Sequence, residues 1–121
     1  MENKKILICG TRNSKLPNRN RTDYGWLVRQ ILRNLKEREE FEIVEGCCLD
    51  SGDAYAEEWA KENNIKVNHF PSTTGNYLKR NIEMVKACDE VIAFWDGFSY
   101  GTSQTIATAV RLNKPVTIVD I

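Results

Sequence analysis

The sequence predicts a three-layer, Rossmann-like α/β domain with a doubly wound parallel sheet of five strands in the order 3-2-1-4-5. Three observations carry that expectation. Strand and helix signals alternate from end to end as βαβαβαβαβ. The strand runs are short and apolar, as in a parallel sheet covered on both faces. Right-handed crossovers between such strands put helices on the two sides of the sheet.

In chain order, "KKILIC" is an apolar run ended by Gly10. "DYGWLVRQILRNLKEREE" sets Leu27, Ile31 and Leu35, with Val28 and Leu32 beside them, on one helical face, with Thr22 or Asp23 as N-cap. "FEIVEG" is a second strand stopped by Gly46. "DAYAEEWAKENN" turns Ala56, Trp59 and Ala60 inward and places its acids early, where the helix dipole favours them. "IKVNHF" alternates up to Pro71, as a strand with one wetter face does. "YLKRNIEMVKAC" is helical through Leu78, Ile82, Met84 and Val85. "EVIAFW", "SQTIATAVRLN" and "PVTIVDI" complete the series, the first, fourth and fifth strands being the most apolar.

The 121 residues fit one domain, 1–121, with a sizeable core. Seventeen basic residues balance 17 acidic ones, which removes the bulk electrostatic case for a nucleic-acid binder. No 18-residue apolar run marks a membrane helix, and no secretory signal is visible, so a cytoplasmic location is expected. Cys9, Cys47, Cys48 and Cys88 are read as reduced and structural, with Cys47 or Cys48 able to line a ligand site from a strand end. No metal or cofactor is expected. His69 has neither a second histidine nor an acidic neighbour in sequence and is read as structural. Glu57 and Glu58 are read as helix-surface charges.

In open α/β sheets ligands bind beyond the carboxyl ends of the strands, where the strand order reverses. The loops there are "GTRNSKLPNRNRT", "GCCLDSG" and "DGFSYGTS"; each holds a glycine and leads into a helix N-terminus, a favourable place for an anion. Connectors of this kind need only about two to six residues and no such chemistry.

The segments "GTR", "EGCCLDSGDAYAEEWA", "HFPSTTGNYLKRNIEMV" and "IAFWDGFSYGTSQTIATAV" resemble the YspA/cpYpsA-like branch of the SLOG superfamily, which includes the DprA/Smf proteins and the "Lonely guy" phosphoribohydrolases. The likeness runs along almost the whole chain, with the motifs in order. It implies binding of a nucleotide or nucleotide-derived small molecule, an ADP-ribose- or NAD-related signal among the candidates, and assembly as a homo-oligomer. Gly10, Thr11 and Arg12 match a Gly-Ser-Arg start, and Gly46 with Asp53 matches a Gly-Gly-Ala…Ala-Asp segment. Arg80 and Asn81 match an Arg-Asn pair, and Gly101 with Thr102 a final Gly-Thr. Two departures stand out. Cys47 and Cys48 replace the second glycine and the alanine, and Thr105 stands where the phosphoribohydrolases carry a glutamate for N-glycosidic cleavage.

Each candidate has a plainer alternative. Gly101, Thr102 and Ser103 either receive a phosphate or form a glycine turn with a threonine N-cap. Arg12 either forks onto a phosphate or is solvated, as are Lys15, Arg19 and Arg21. Arg80 and Asn81 either enter the site or sit on a solvated helix face. Asp53 is an N-cap or a ribose acceptor. Asp96 either accepts from a ligand, or acts as a weak catalytic candidate with Arg80, or binds its own backbone in an Asx-turn. Tyr100 stacks on a base or is a surface aromatic, Phe98 stacks on a base or packs at the core rim, and Trp95 is expected at the core rim. Three functions compete: a sensor or sequestering protein, a nucleotide-processing hydrolase, and a DprA-like nucleic-acid or protein-interaction module.

Overall fold

The computed structural model describes residues 3–16, 18–46, 50–72 and 75–121, with backbone alone for 18–22. Strands β1 (Lys4–Gly10), β2 (Phe41–Glu45), β3 (Val67–His69), β4 (Glu90–Trp95) and β5 (Val116–Asp120) form one sheet, all pairs parallel, in the order β3-β2-β1-β4-β5. Helices α1 (Asn18–Arg38) and α2 (Gly52–Glu62) pack on each other, as do α3 (Tyr77–Ala87) and α4 (Tyr100–Arg111). The chain moves one way along the sheet through α1 and α2 and the other way through α3 and α4. With right-handed crossovers, the two pairs therefore cover opposite faces. The predicted architecture and strand order are both observed.

Strand alternation divides the core in two. Ile6, Ile8, Ile43, Ile92 and Phe94 meet Tyr24, Val28, Leu32, Ala56 and Trp59 on one side. Leu7, Val44, Val91 and Ala93 meet Met84, Val85 and Ala109 on the other. Tyr24 lies at the centre of the first cluster, 5.3 Å from the Tyr55 ring edge-on and 5.9 Å from Phe94. Cys9 and Cys88 are buried free thiols, and burial raises the pKa of both. Cys47 and Cys48 lie outside the described residues.

Several local expectations are corrected. α1 begins at Asn18, so Thr22 and Asp23 lie within the helix and do not cap it. Residues 18–22 are polar and show no apolar period, while the preceding proline in the sequence suits a helix start, where a missing N–H costs nothing. The most deeply buried row of α1 is Tyr24, Val28 and Leu32; Leu27, Ile31 and Leu35 flank it, half-buried. Leu78 is 47% exposed, and the inner row of α3 is Asn81, Met84 and Val85. β5 is an edge strand with Ile118 exposed, because no helix covers its outer part. Asn64 and Asn113 take left-handed backbone after α2 and α4. There the Ile65 and Lys114 N–H groups reach back to Ala60 and Ala109 O and close both helices in Schellman form.

Candidate functional site

A cleft of about 950 Å³ opens beyond the carboxyl ends of β1, β2 and β4. Its position follows from the strand order: β1 is the reversal point, and Gly10 lies in register with Phe94 on β4. Past the sheet, Thr11 keeps the two strands together. Its N–H donates to Phe94 O at 2.8 Å, and its hydroxyl oxygen accepts from Asp96 N at 3.1 Å. Thr11 is thus buried beneath the cleft and does not line it.

Of the candidates, Gly10, Arg12, Gly46, Asp53, Arg80, Asn81, Tyr100, Gly101 and Thr102 come together in the lining. Asp96 and Ser103 do not, and Cys47 lies outside the described residues. Ser103 Oγ donates to Tyr100 O at 2.7 Å. Arg12 and Lys15 stand exposed at the rim.

Arg80 is not a solvated helix arginine. Its Nη1 donates to Gly46 O at 2.6 Å and Phe70 O at 3.3 Å, and its Nε donates to Asn81 Oδ1 at 3.0 Å. The guanidinium therefore ties the ends of β2 and β3 to α3, over the Tyr77 ring at 5.4 Å. Its described partners are neutral acceptors, so its positive charge is not cancelled by a carboxylate at hydrogen-bond range.

The three helix N-termini around the cleft differ. At α2 the N-cap is Ser51, not Asp53: Ser51 Oγ accepts from Asp53 N, and Tyr24 Oη accepts from Gly52 N. Asp53, the second residue of that helix, instead accepts from Gly46 N at 3.0 Å and fixes the β2 loop. At α3, Asn76 Oδ1 accepts from Lys79 N. α4 starts at Tyr100, three residues before the predicted run, with Ser99 and not Thr102 at the N-cap. No side chain caps it, and its first turn holds no acid. The N–H groups of Tyr100, Gly101 and Thr102 have no acceptor within the helix. Ser99 Oγ is buried with no partner at hydrogen-bond geometry, although it lies near enough to Asp96 to favour that carboxylate's charge. Ser72 Oγ, from another part of the same lining, is likewise buried without a partner among the described residues.

Asp96 forms the Asx-turn, its Oδ1 accepting from Phe98 N at 2.9 Å and Ser99 N at 2.8 Å. Burial opposes its ionisation, but those two N–H groups and the Thr11 and Ser99 hydroxyls outweigh it, so the carboxyl titrates below its ordinary 3.8. A lowered folded-state pKa stabilises the fold above the unfolded value, and that contribution is lost as pH falls through the folded one. Asp96→Asn is expected to cost ~1 kcal/mol near neutrality by removing the charge from these bonds. Melting curves of the two proteins should converge as pH drops below 3.8; a gap that persists in acid would exclude this origin. The turn throws Phe98 outward to 90% exposure, which removes the core-rim alternative for that ring. Trp95 does pack inward, its Nε1 donating to Ser99 O at 3.0 Å.

Ser72, Ser99 and Asp50, which no sequence motif marks, also line the cleft, as does Lys15. Only Ser99 carried a usable signal, by standing two residues before Gly101. Away from the cleft, His69 has acidic company that the sequence hid. Glu57 and Glu45 both reach its Nε2, so Glu57 is not simply a surface charge. Glu58 is one, pairing with Arg29 at 3.0 Å.

No protein-family model and no curated protein matches the chain. Solved structures do. Two structures of the molybdenum cofactor carrier protein of Chlamydomonas reinhardtii superpose with TM-scores of 0.72, at 16% and 17% identity. They cover 97% and 98% of this chain and 76% of their own. DNA processing protein A of Helicobacter pylori, which binds single-stranded DNA, follows at a TM-score of 0.63 and 20% identity, over 95% of this chain and 64% of its own. What the chain shares with these neighbours is the Rossmann-like α/β fold.

Proposed function

We propose that the cleft binds a nucleotide or nucleotide-derived small molecule, of the ADP-ribose or NAD kind, and that the protein acts as a sensor or sequestering protein of the YspA-like branch. The observation that carries this reading is the α4 entrance. Three helix N–H groups and a dipole without a side-chain cap want an acceptor, and an anionic group such as phosphate supplies several at once. Arg80 contributes an uncancelled charge from the facing wall, and its Nη2 hydrogens remain for a ligand. A cleft of about 950 Å³ suits a molecule of dinucleotide size. A small-molecule carrier among the structural neighbours is consistent with such a use of the fold.

Binding is favoured over hydrolysis by the state of the acids. Asp50 and Asp53, the two in the lining, already accept from Ser14 N and Gly46 N. Asp96 is held ionised, the wrong form for a general acid. At the glutamate position of the phosphoribohydrolases, Thr105 is buried and donates to Gly101 O.

A thermal-shift panel of nucleotides, NAD, ADP-ribose and its cyclic forms, with chromatography of each compound afterwards, tests this. A stabiliser recovered intact is the expected result. Recovery as fragments would replace sequestration by hydrolysis, and steeply salt-dependent binding of oligonucleotides alone would replace both by a DprA-like role. Arg80→Ala should lower affinity for the stabiliser at least tenfold and cost the fold ~1–2 kcal/mol, because Gly46 O and Phe70 O lose their donor. Homo-oligomerisation belongs to the same proposal. Exposed Phe98 and Tyr100 offer the apolar surface for it, and light scattering on the intact chain decides it.

A further inference from the structure

The two edges of the sheet are not protected alike. β3 has only three residues, and shortness is itself a defence against stray pairing. β5 offers five and pairs with β4 alone. Pro115 O accepts from Val91 N at 2.9 Å, and Ile121 N donates to Trp95 O at 3.3 Å. Backbone groups alternate in direction along a strand, so Pro115, Thr117, Val119 and Ile121 turn theirs towards β4. The N–H and C=O groups of Val116, Ile118 and Asp120 therefore point outward, and among the described residues nothing bonds to them.

Little blunts this edge. Proline and lysine are the usual guards. Pro115 stands at an inward position, where its missing N–H leaves the outer row intact, and the strand itself holds no lysine or arginine. The adjoining surface is apolar. Val116 and Ile118 leave the sheet on the α4 side, where Val116 and Ile106 pack on the same core cluster, and Val110 follows Ile106 by one helical turn. Ile118 is 47% exposed and Val110 64%.

A second β5 fits this edge in one register above the others. In an antiparallel pair, outward residues must oppose outward residues to exchange both hydrogen bonds, which leaves a two-fold axis few places. With the axis at Ile118, Val116 would meet Asp120 of the partner subunit, a carboxylate against an apolar side chain. With the axis at Thr117, Val116 meets Ile118 of the partner subunit and Lys114 meets Asp120 of the partner subunit, and symmetry repeats both pairings. Thr117 then opposes Thr117 of the partner subunit. Apolar, opposite-charge and threonine pairs are all favourable across strands. Within its own chain Asp120 has no ion pair among the described residues. Lys114 Nζ donates to Cys88 O at 2.7 Å and has hydrogens to spare.

We propose that two copies of the chain join antiparallel through β5, about an axis at Thr117, into one ten-stranded sheet. That axis is normal to the sheet, so both α4 helices lie on the same face, with Ile118 and Val110 of each copy along the joint. The proposal rests on the oligomer reading above for its occupant, a second copy, and uses a surface separate from Phe98 and Tyr100.

The test is light scattering on the intact chain over a concentration series, with variants on the outer edge. The parent should be a dimer. Ile118→Lys should raise the dimer dissociation constant at least tenfold, and Phe98→Ser should leave it unchanged. Ile118 is half-exposed, so the lysine variant folds, which its melting curve checks. Thr117→Cys reads the register. Opposed residues of a non-hydrogen-bonded pair have Cα atoms about 4.5 Å apart, within disulfide range, so a mild oxidant should link this variant to itself. Ile118→Cys should link no more than the parent with its native thiols. A parent that stays monomeric up to about 1 mM would overturn both the edge contact and the oligomer reading. A dimer dissolved by Phe98→Ser but not by Ile118→Lys would keep the oligomer and overturn the edge. Linking of Ile118→Cys and not of Thr117→Cys would overturn the axis. Open-ended assemblies would also overturn the proposal, because pairing through β5 uses up that edge.

Discussion

Gly10→Ala is expected to cost the protein ~3–5 kcal/mol, enough to lower its melting temperature by roughly 10–20 °C. A β-carbon at this position would stand 2.0 Å from Tyr24 Oη, 2.9 Å from Phe94 O and 3.1 Å from Phe94 Cβ. None of these atoms can yield cheaply. Phe94 belongs to the central strand β4, in register with Gly10 itself. Tyr24 is 1% exposed, and its hydroxyl is the acceptor for Gly52 N at the start of α2. Moving the ring therefore strains the core and strips a buried N–H of its partner. Tyr24→Phe removes the worst contact, so the double variant should be less damaged than the sum of the two single changes. Additive effects, or a Gly10→Ala protein that melts like its parent, would show that the β1 end is not packed as described. The glycine that opens the cleft thus has a structural reason that a motif match alone does not reveal.

The frame of the molecule was legible because it rests on local rules. "KKILIC" and "EVIAFW" are unbroken apolar runs and became the buried strands β1 and β4, and right-handed crossovers left few ways to order the five. Element ends were less legible. At α2 the sequence marks Asp53 as the cap, and only the fold shows Ser51 in that place with Asp53 turned back to Gly46 N. At α4 the helix starts early because the Asx-turn of Asp96 redirects the chain before any apolar period is visible.

Interactions between distant residues were not legible at all. The sequence leaves Arg80 between the site and a solvated face because its acceptors, Gly46 O and Phe70 O, are backbone atoms 34 and 10 residues away. Glu45 looks like the polar end of a strand and His69 like the wet face of another. Their meeting depends on a strand register that composition does not encode. Given the order β3-β2-β1, however, the last residues of β2 and β3 must be neighbours, and that inference was open once the order was drawn.

Gly101 is the opposite case to Gly10. Among the described residues, a β-carbon there meets nothing within 4 Å. Glycine inside a helix costs roughly 0.5–1 kcal/mol relative to alanine, so the fold by itself would be served better by alanine. A residue that the fold does not require points to something outside the fold. Gly101→Ala should therefore melt at the same temperature as the parent or slightly higher when no ligand is present. Its affinity for the compound that stabilises the parent should fall on the order of 100-fold, ~2.7 kcal/mol, because the new methyl occupies the approach to the α4 N–H groups. Thr102→Val, one residue on, removes a hydroxyl but adds no bulk at that approach and should cost less. The pair separates contact with the backbone from contact with the side chain. If Gly101→Ala retains full affinity for a compound that Arg80→Ala no longer binds, the ligand lies against α3 and the α4 entrance is not its anion site. If both lose it, the two walls grip the same molecule, and the first N–H groups of α4 have the acceptor they lack within the helix.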